Sequence, residues 1–215
     1  MTGPVRIVVV SAGLSNPSST KLLADMLGDA SVAAVEGRGA EAVLEHVELR
    51  GLAHALTDHL LTGFPTAELK AAIDRVRRAD AVIAVTPVFS ASYSGLFKTF
   101  FDVLELGVMD AKPVLIGATA GSPRHSLVLD HAMRPLFSYL RAVVVPTGVF
   151  AASEDFAGPE LAKRVDRAAE ELAALVGAGG RRTSGPKRDL VEQAFEDPSS
   201  ITDFETLLRR ASEGS

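Results

Sequence analysis

The side chains here that could do chemistry are mostly hydroxyls and small residues, gathered in three short stretches. In Ser11-Ala12-Gly13-Leu14-Ser15-Asn16-Pro17-Ser18-Ser19-Thr20, five hydroxyls precede an apolar pattern at Leu22, Leu23, Met26 and Leu27 with helical spacing. Serine and threonine are favoured at helix starts for capping alone. A helix start also carries free N–H groups and the positive end of a dipole, so clustered hydroxyls there can hold a phosphate. In the second stretch, Thr86 to Asp102, Phe89 and Tyr93 can offer aromatic surface, while Ser90, Ala91 and Ser92 let a planar ligand approach the main chain. The third is Thr119-Ala120-Gly121-Ser122-Pro123-Arg124-His125-Ser126. His125 could place a donor or a positive charge at a ligand, or could cap the next helix.

The small-residue loop after Pro87 holds no obvious acid, base or nucleophile, and no catalytic side chain is assigned. That pattern suits a site that binds a cofactor and leaves the chemistry to it. The Walker pattern fails because no glycine precedes Lys21, and G-x-G-x-x-G fails because Gly13 stands alone. Ser92-Tyr93-Ser94-Gly95 lacks the leading glycine of the hydrolase elbow. The chain has no cysteine, which removes disulfides, thiolate catalysis and iron–sulfur ligation together. His46, His54 and His59 are scattered, and His125 and His131 fall on different helix faces, so no metal site is expected.

The elements that must position these stretches follow from apolar runs. Val5–Val10, Ala42–Leu49, Ala81–Val85, Pro113–Ala118 and Val143–Phe150 read as strands. Pro87 is expected to stop the third, having no N–H to donate. Helices are expected after Ser19, over Glu68–Arg78 with Leu69, Ile73 and Val76 inward, and after Gly95 on Leu96, Phe97, Phe100, Phe101 and Leu104. A further helix over Leu127–Arg141 should bend at Pro135, and Pro159–Val176 closes the pattern. Residues 33–40 read as irregular and 50–65 as a long connection. Five strands alternating with helices are what a doubly wound α/β sheet requires, and the ligand crevice of such a sheet lies beyond the strands' carboxyl ends, where all three stretches fall.

At 215 residues the chain suits one domain, 1–177, followed by a linker, 178–189, and a tail with short helices, 190–215, whose Phe195, Phe204 and Leu208 are expected to dock on an apolar surface. The net charge of −5 gives no general attraction to nucleic acid or anionic membrane. No apolar run approaches the roughly 20 residues that cross a bilayer, and a cytoplasmic protein is expected.

The run Thr86-Pro87-Val88-Phe89-Ser90-Ala91-Ser92-Tyr93-Ser94-Gly95-Leu96-Phe97-Lys98 resembles the flavin-ring loop of the NAD(P)H-dependent FMN reductases, most closely the branch serving alkanesulfonate monooxygenases. The similarity runs from Val5 to about Phe156 and implies a flavodoxin-like three-layer sandwich, with a five-stranded parallel sheet in the order 2-1-3-4-5. It implies FMN, reduced by hydride transfer from NADPH or NADH to the flavin N5, with reduced FMN passed to a flavin-dependent monooxygenase. Ser11, Gly13, Leu14, Ser18, Ser19 and Thr20 would then hold the phosphate. Pro87, Val88, Phe89, Ser90, Ala91 and Ser92 would hold the ring, with Thr119, Ala120, Gly121, Ser122 and His125 closing the third side. A homodimer or homotetramer is also implied. The chain departs from the family at Phe89 and His131, where tyrosine is usual, and in lacking an arginine in the first loop. Other readings are a quinone or azo-dye reductase with bound FMN, a flavodoxin-type electron carrier, and a phosphate-binding regulatory domain.

Overall fold

The computed structural model describes residues 3–178; the tail at 190–215 and nearly all of the linker lie outside them. The apolar runs become the middle of one sheet. In β1 (Val5–Ser11) and β3 (Ala81–Phe89), residues Ile7, Val8, Val10 and Val82 to Val85 are wholly buried, because helices cover both faces and alternation is not needed. β2 (Ala42–Glu48) pairs with β1, and β5 (Pro113–Ala120) pairs with β3, all parallel. The outer position beside β5 is filled by β6 (Val143–Val144) and β7 (Val149–Ala152). Counting that position as one strand, the order is the expected 2-1-3-4-5 of a flavodoxin-like sheet.

α1 (Ser19–Glu36) and α6 (Pro159–Ala178) cover one face through Leu23, Leu27, Leu161 and Leu172. The other face carries α2 (Ala53–Thr62), α3 (Ala67–Arg78), α4 (Gly95–Asp102) and α5 (Arg134–Tyr139). Its core includes Leu56, Leu69, Phe97, Phe101 and Phe137.

Several expectations change. β3 does not stop at Pro87: its pairing with β1 ends at Val85, so beyond that point one side is an edge, where proline is tolerated. The strand then folds back on the short β4 (Ser92–Tyr93), with Val88 opposite Tyr93 and Phe89 opposite Ser92. The fifth strand is split. Pro146 cannot donate to the ladder, and the Arg134 guanidinium takes up the Val145 carbonyl at 2.9 Å and the Pro146 carbonyl beside it. β7 consequently ends at Ala152, past the expected Phe150.

Residues 50–65 are largely helical, ending at Gly63 in the left-handed conformation with its N–H on the His59 carbonyl at 2.8 Å. Only Leu56 of α2 is buried, which is why no apolar stripe shows in the sequence. α1 likewise continues through 33–36. The bend expected at Pro135 is a wider π turn over Leu129–Met133, in which Arg134 N–H reaches back to the Leu129 carbonyl.

Candidate functional site

The hydroxyl loop is held closed by glycine. A Cβ on Gly13 would lie 2.2 Å from Ser18 Oγ, 3.2 Å from Ser18 Cβ and 3.3 Å from Thr20 Cβ, so the loop packs against itself only if that position is bare. Ser18 is the N-cap of α1, its Oγ accepting the Lys21 N–H at 3.2 Å. The capping role weighed for this loop is therefore real. It leaves the N–H groups of Ser19 and Thr20, the first two residues of α1, without intrahelical partners. Thr20 is buried, and its Oγ1 lies 2.7 Å from Oγ1 of Thr119 at the end of β5. The start of α1, which leaves β1, thus rests two strands away.

No cation of the loop aims at this place. Lys21 Nζ sits 3.1 Å from Asp25 and 3.2 Å from Glu48, and hydrogen bonds to these carboxylates raise its pKa. Attraction for an anion rests on the helix dipole and neutral donors.

The second loop is a two-residue hairpin. Ser90 and Ala91, between β3 and β4, have φ of 49° and 66°, the pair of left-handed residues that such a turn demands and that asparagine and glycine usually supply. The hairpin is braced from below. Ser94 N–H donates to Thr86 Oγ1 at 3.0 Å, and Ser94 Oγ caps α4 by accepting the Phe97 N–H at 3.2 Å. Tyr93 does not offer its ring as a free face. Half-buried, it packs against the core cluster, 5.8 Å from Phe97 between ring centroids, so Phe89, 47% exposed, is the more open aromatic surface. Replacing Ala91 with glycine is expected to stabilise the protein by about 1 kcal/mol, since a left-handed alanine carries a steric cost. A thermal melt of the variant checks this; an unchanged or lower midpoint would contradict it.

These loops converge. Leu14, Ser15, Ser19 and Thr20 from the first, Pro87, Val88 and Phe89 from the second, Thr119, Ala120 and Gly121 from β5 and its exit, and Ser153 beyond β7 line one cleft of about 300 Å³. No lining side chain ionises. The cleft opens to solvent along Leu14, Ser15, Ser19, Phe89, Gly121 and Ser153, all exposed. Of the remaining expected residues, Ser11 is buried at the end of β1, and Gly13 and Ser18 shape the loop from behind. Ser90 and Ala91 form the exposed hairpin tip and Ser92 begins β4. Ser122 precedes a short 3-10 turn, Pro123–His125, on which His125 is exposed beyond the cleft lining.

Ser15 and Ser153 were not among the expected residues. Ser15 lies inside the hydroxyl loop and was legible there. Ser153 would have been found by the carboxyl-end rule had the fifth strand been taken to Ala152. Among the described residues, no group of three or more His, Asp or Glu side chains could hold a metal ion.

A family model described as NADPH-dependent FMN reductase matches residues 5–157. An FMN reductase (NADPH) of Pseudomonas aeruginosa is 38% identical over 182 residues, 82% of this chain and 95% of that protein. An NADH-dependent FMN reductase, SfnF, of Pseudomonas fluorescens is 38% identical over 183 residues, 82% of this chain and 95% of its own length. Among solved structures, an oxidoreductase from Corynebacterium diphtheriae superposes with a TM-score of 0.80 at 49% identity, covering 82% of this chain and 99% of that one.

Proposed function

Since the chain belongs to the NADPH-dependent FMN reductase family, we propose that the rim cleft holds FMN for reduction by NADPH or NADH, and that reduced FMN is handed to a flavin-dependent monooxygenase. The observation that carries this reading is the cleft itself, in which segments from four strand ends meet around uncharged donors. The donor set fits the group. Free N–H groups at the start of α1, with the hydroxyls of Ser15, Ser19 and Thr20, would receive the phosphate. Phe89 and the Ser90–Ser92 main chain would face the ring. At about 300 Å³ the cleft is at the small end for such sites, which suits one that stays open along an edge.

When bound, FMN supplies the redox chemistry by accepting a hydride at N5. The protein's part is to hold the ring and leave room for a nicotinamide in attack geometry, which removes much of the entropic cost of a two-substrate reaction. Main-chain N–H groups of the hairpin would stabilise negative charge on the reduced ring, and no lining carboxylate opposes it.

Purified protein mixed with excess FMN and NADPH or NADH should consume the reduced nicotinamide. Without oxygen, it should bleach many equivalents of FMN per chain. Bleaching that stops at one equivalent would mean that FMN is retained and would overturn delivery to a second enzyme. Flavin binding without turnover would instead indicate an electron carrier. Both cofactor names occur among the relatives, so kcat/KM for the two nicotinamides decides the preference. Self-association into a dimer or tetramer, and a cytoplasmic location where reduced nicotinamide is available, belong to the same proposal; light scattering on the eluting protein checks the first.

A further inference from the structure

We propose that Ser153 is a phosphate ligand of this cleft, completing from the outermost strand a cradle that the first loop leaves without a cation. The inference rests on the FMN reading above. The order of strand ends along the rim fixes the neighbourhood: Ser11 ends β1, Pro87 lies in β3 opposite Thr119 of β5, and Ala120 of β5 is opposite Ala152, the last residue of β7. The start of α1 does not stay above β1. Its Thr20 hydroxyl meets Thr119 at 2.7 Å, so the helix start lies over the end of β5 and is flanked on the far side by the exit of β7. Ser153 is the first residue after that exit, is exposed, and lines the same cleft as Ser15, Ser19 and Thr20. It therefore stands at the helix-start end, away from the Phe89 hairpin.

Two acidic residues follow Ser153, of which Glu154 is exposed and lies outside the cleft lining. Asp155, two residues on, would repel a phosphate if its carboxylate were free. One oxygen accepts the Ala152 N–H at 2.7 Å and the other lies 3.2 Å from an Arg164 nitrogen, which neutralises the group and ties it back to the strand end and α6. The turn is thus held so that a serine hydroxyl, not a carboxylate, borders the cleft.

Quenching of flavin fluorescence, with FMN and with riboflavin, tests the assignment on the intact chain. Ser153→Ala should raise the FMN Kd about tenfold, as for loss of a hydrogen bond to a charged group, and leave riboflavin within about twofold. Ser153→Thr should restore FMN affinity, and an unchanged melting midpoint in Ser153→Ala would show that the fold is intact. An unchanged FMN Kd in Ser153→Ala overturns the proposal, as does equal weakening of both flavins, which would place Ser153 at the ribityl chain or ring. If the wild-type protein binds neither flavin, the reading of the cleft itself fails and this assignment fails with it.

Discussion

Replacing Gly13 with alanine is expected to raise the FMN Kd by about tenfold or more and to lower stability by about 1–2 kcal/mol. The added Cβ would sit 2.2 Å from Ser18 Oγ, well inside contact distance. Ser18 can escape only by rotating away, which takes its oxygen from the Lys21 N–H and uncaps α1. Contacts of 3.2 Å to Ser18 Cβ and 3.3 Å to Thr20 Cβ remain tight even then, and pressure on Thr20 is felt at its bond to Thr119. The helix start and the third rim loop are therefore disturbed together.

A double-mutant cycle separates this cause from general damage. In a Ser18→Ala background the Oγ is gone, so adding Gly13→Ala should cost clearly less than it does in the wild type. Fully additive costs would show that the collision is not the reason. Gly121 serves as a control on the opposite loop: a Cβ there meets nothing within 4 Å, and Gly121→Ala should leave stability nearly unchanged.

Phe97→Ala should cost about 3–5 kcal/mol, a large share of the roughly 5–15 kcal/mol that holds an ordinary domain together. Phe97 is fully buried at the centre of an aromatic cluster, 4.8 Å from Phe101, 6.2 Å from Phe137 and 5.8 Å from Tyr93 between ring centroids. Its removal leaves a cavity under α4 and takes away the support of Tyr93, the residue that anchors the returning strand of the hairpin. The melting midpoint should fall by about 10 °C, and FMN affinity, measured well below that midpoint, should fall as well. Phe97→Leu, which refills much of the volume, should recover most of both. A stability loss in Phe97→Ala below about 1 kcal/mol would contradict this account of how the hairpin is held.

Much of the scaffold was legible because burial on both faces writes strands as unbroken apolar runs. Ile7–Val10 and Ala81–Val85 are such runs, and both are central in the sheet. α3 was equally plain, since Leu69, Ile73 and Val76 repeat on one face and are buried there. α2 was not, because one inward leucine gives no period and Leu60, Leu61 and Phe64 are apolar yet exposed. Pro87 misled for a related reason: its missing N–H stops a strand only where a partner waits for it, and β1 has ended by then. The split of the fifth strand and the wide turn before Pro135 were both seeded by prolines, but their form depended on Arg134, which caps two carbonyls of a different segment and donates its own N–H to Leu129.

By itself the sequence showed the residue types, hydroxyls at a helix start and small residues in a strand-end loop, a pattern expected of a site that binds and orients a cofactor. Those are statements about residue types and neighbours along the chain, and local order suffices to make them. Only the tertiary structure decided which hydroxyls face one another. Thr20 and Thr119 meet across a separation of 99 residues, and Ser153 joins them because β7 lies beside β5. The physical reason is that crossover connections and helix packing set distances between segments, and these depend on how the two apolar cores fill, which no local spacing records.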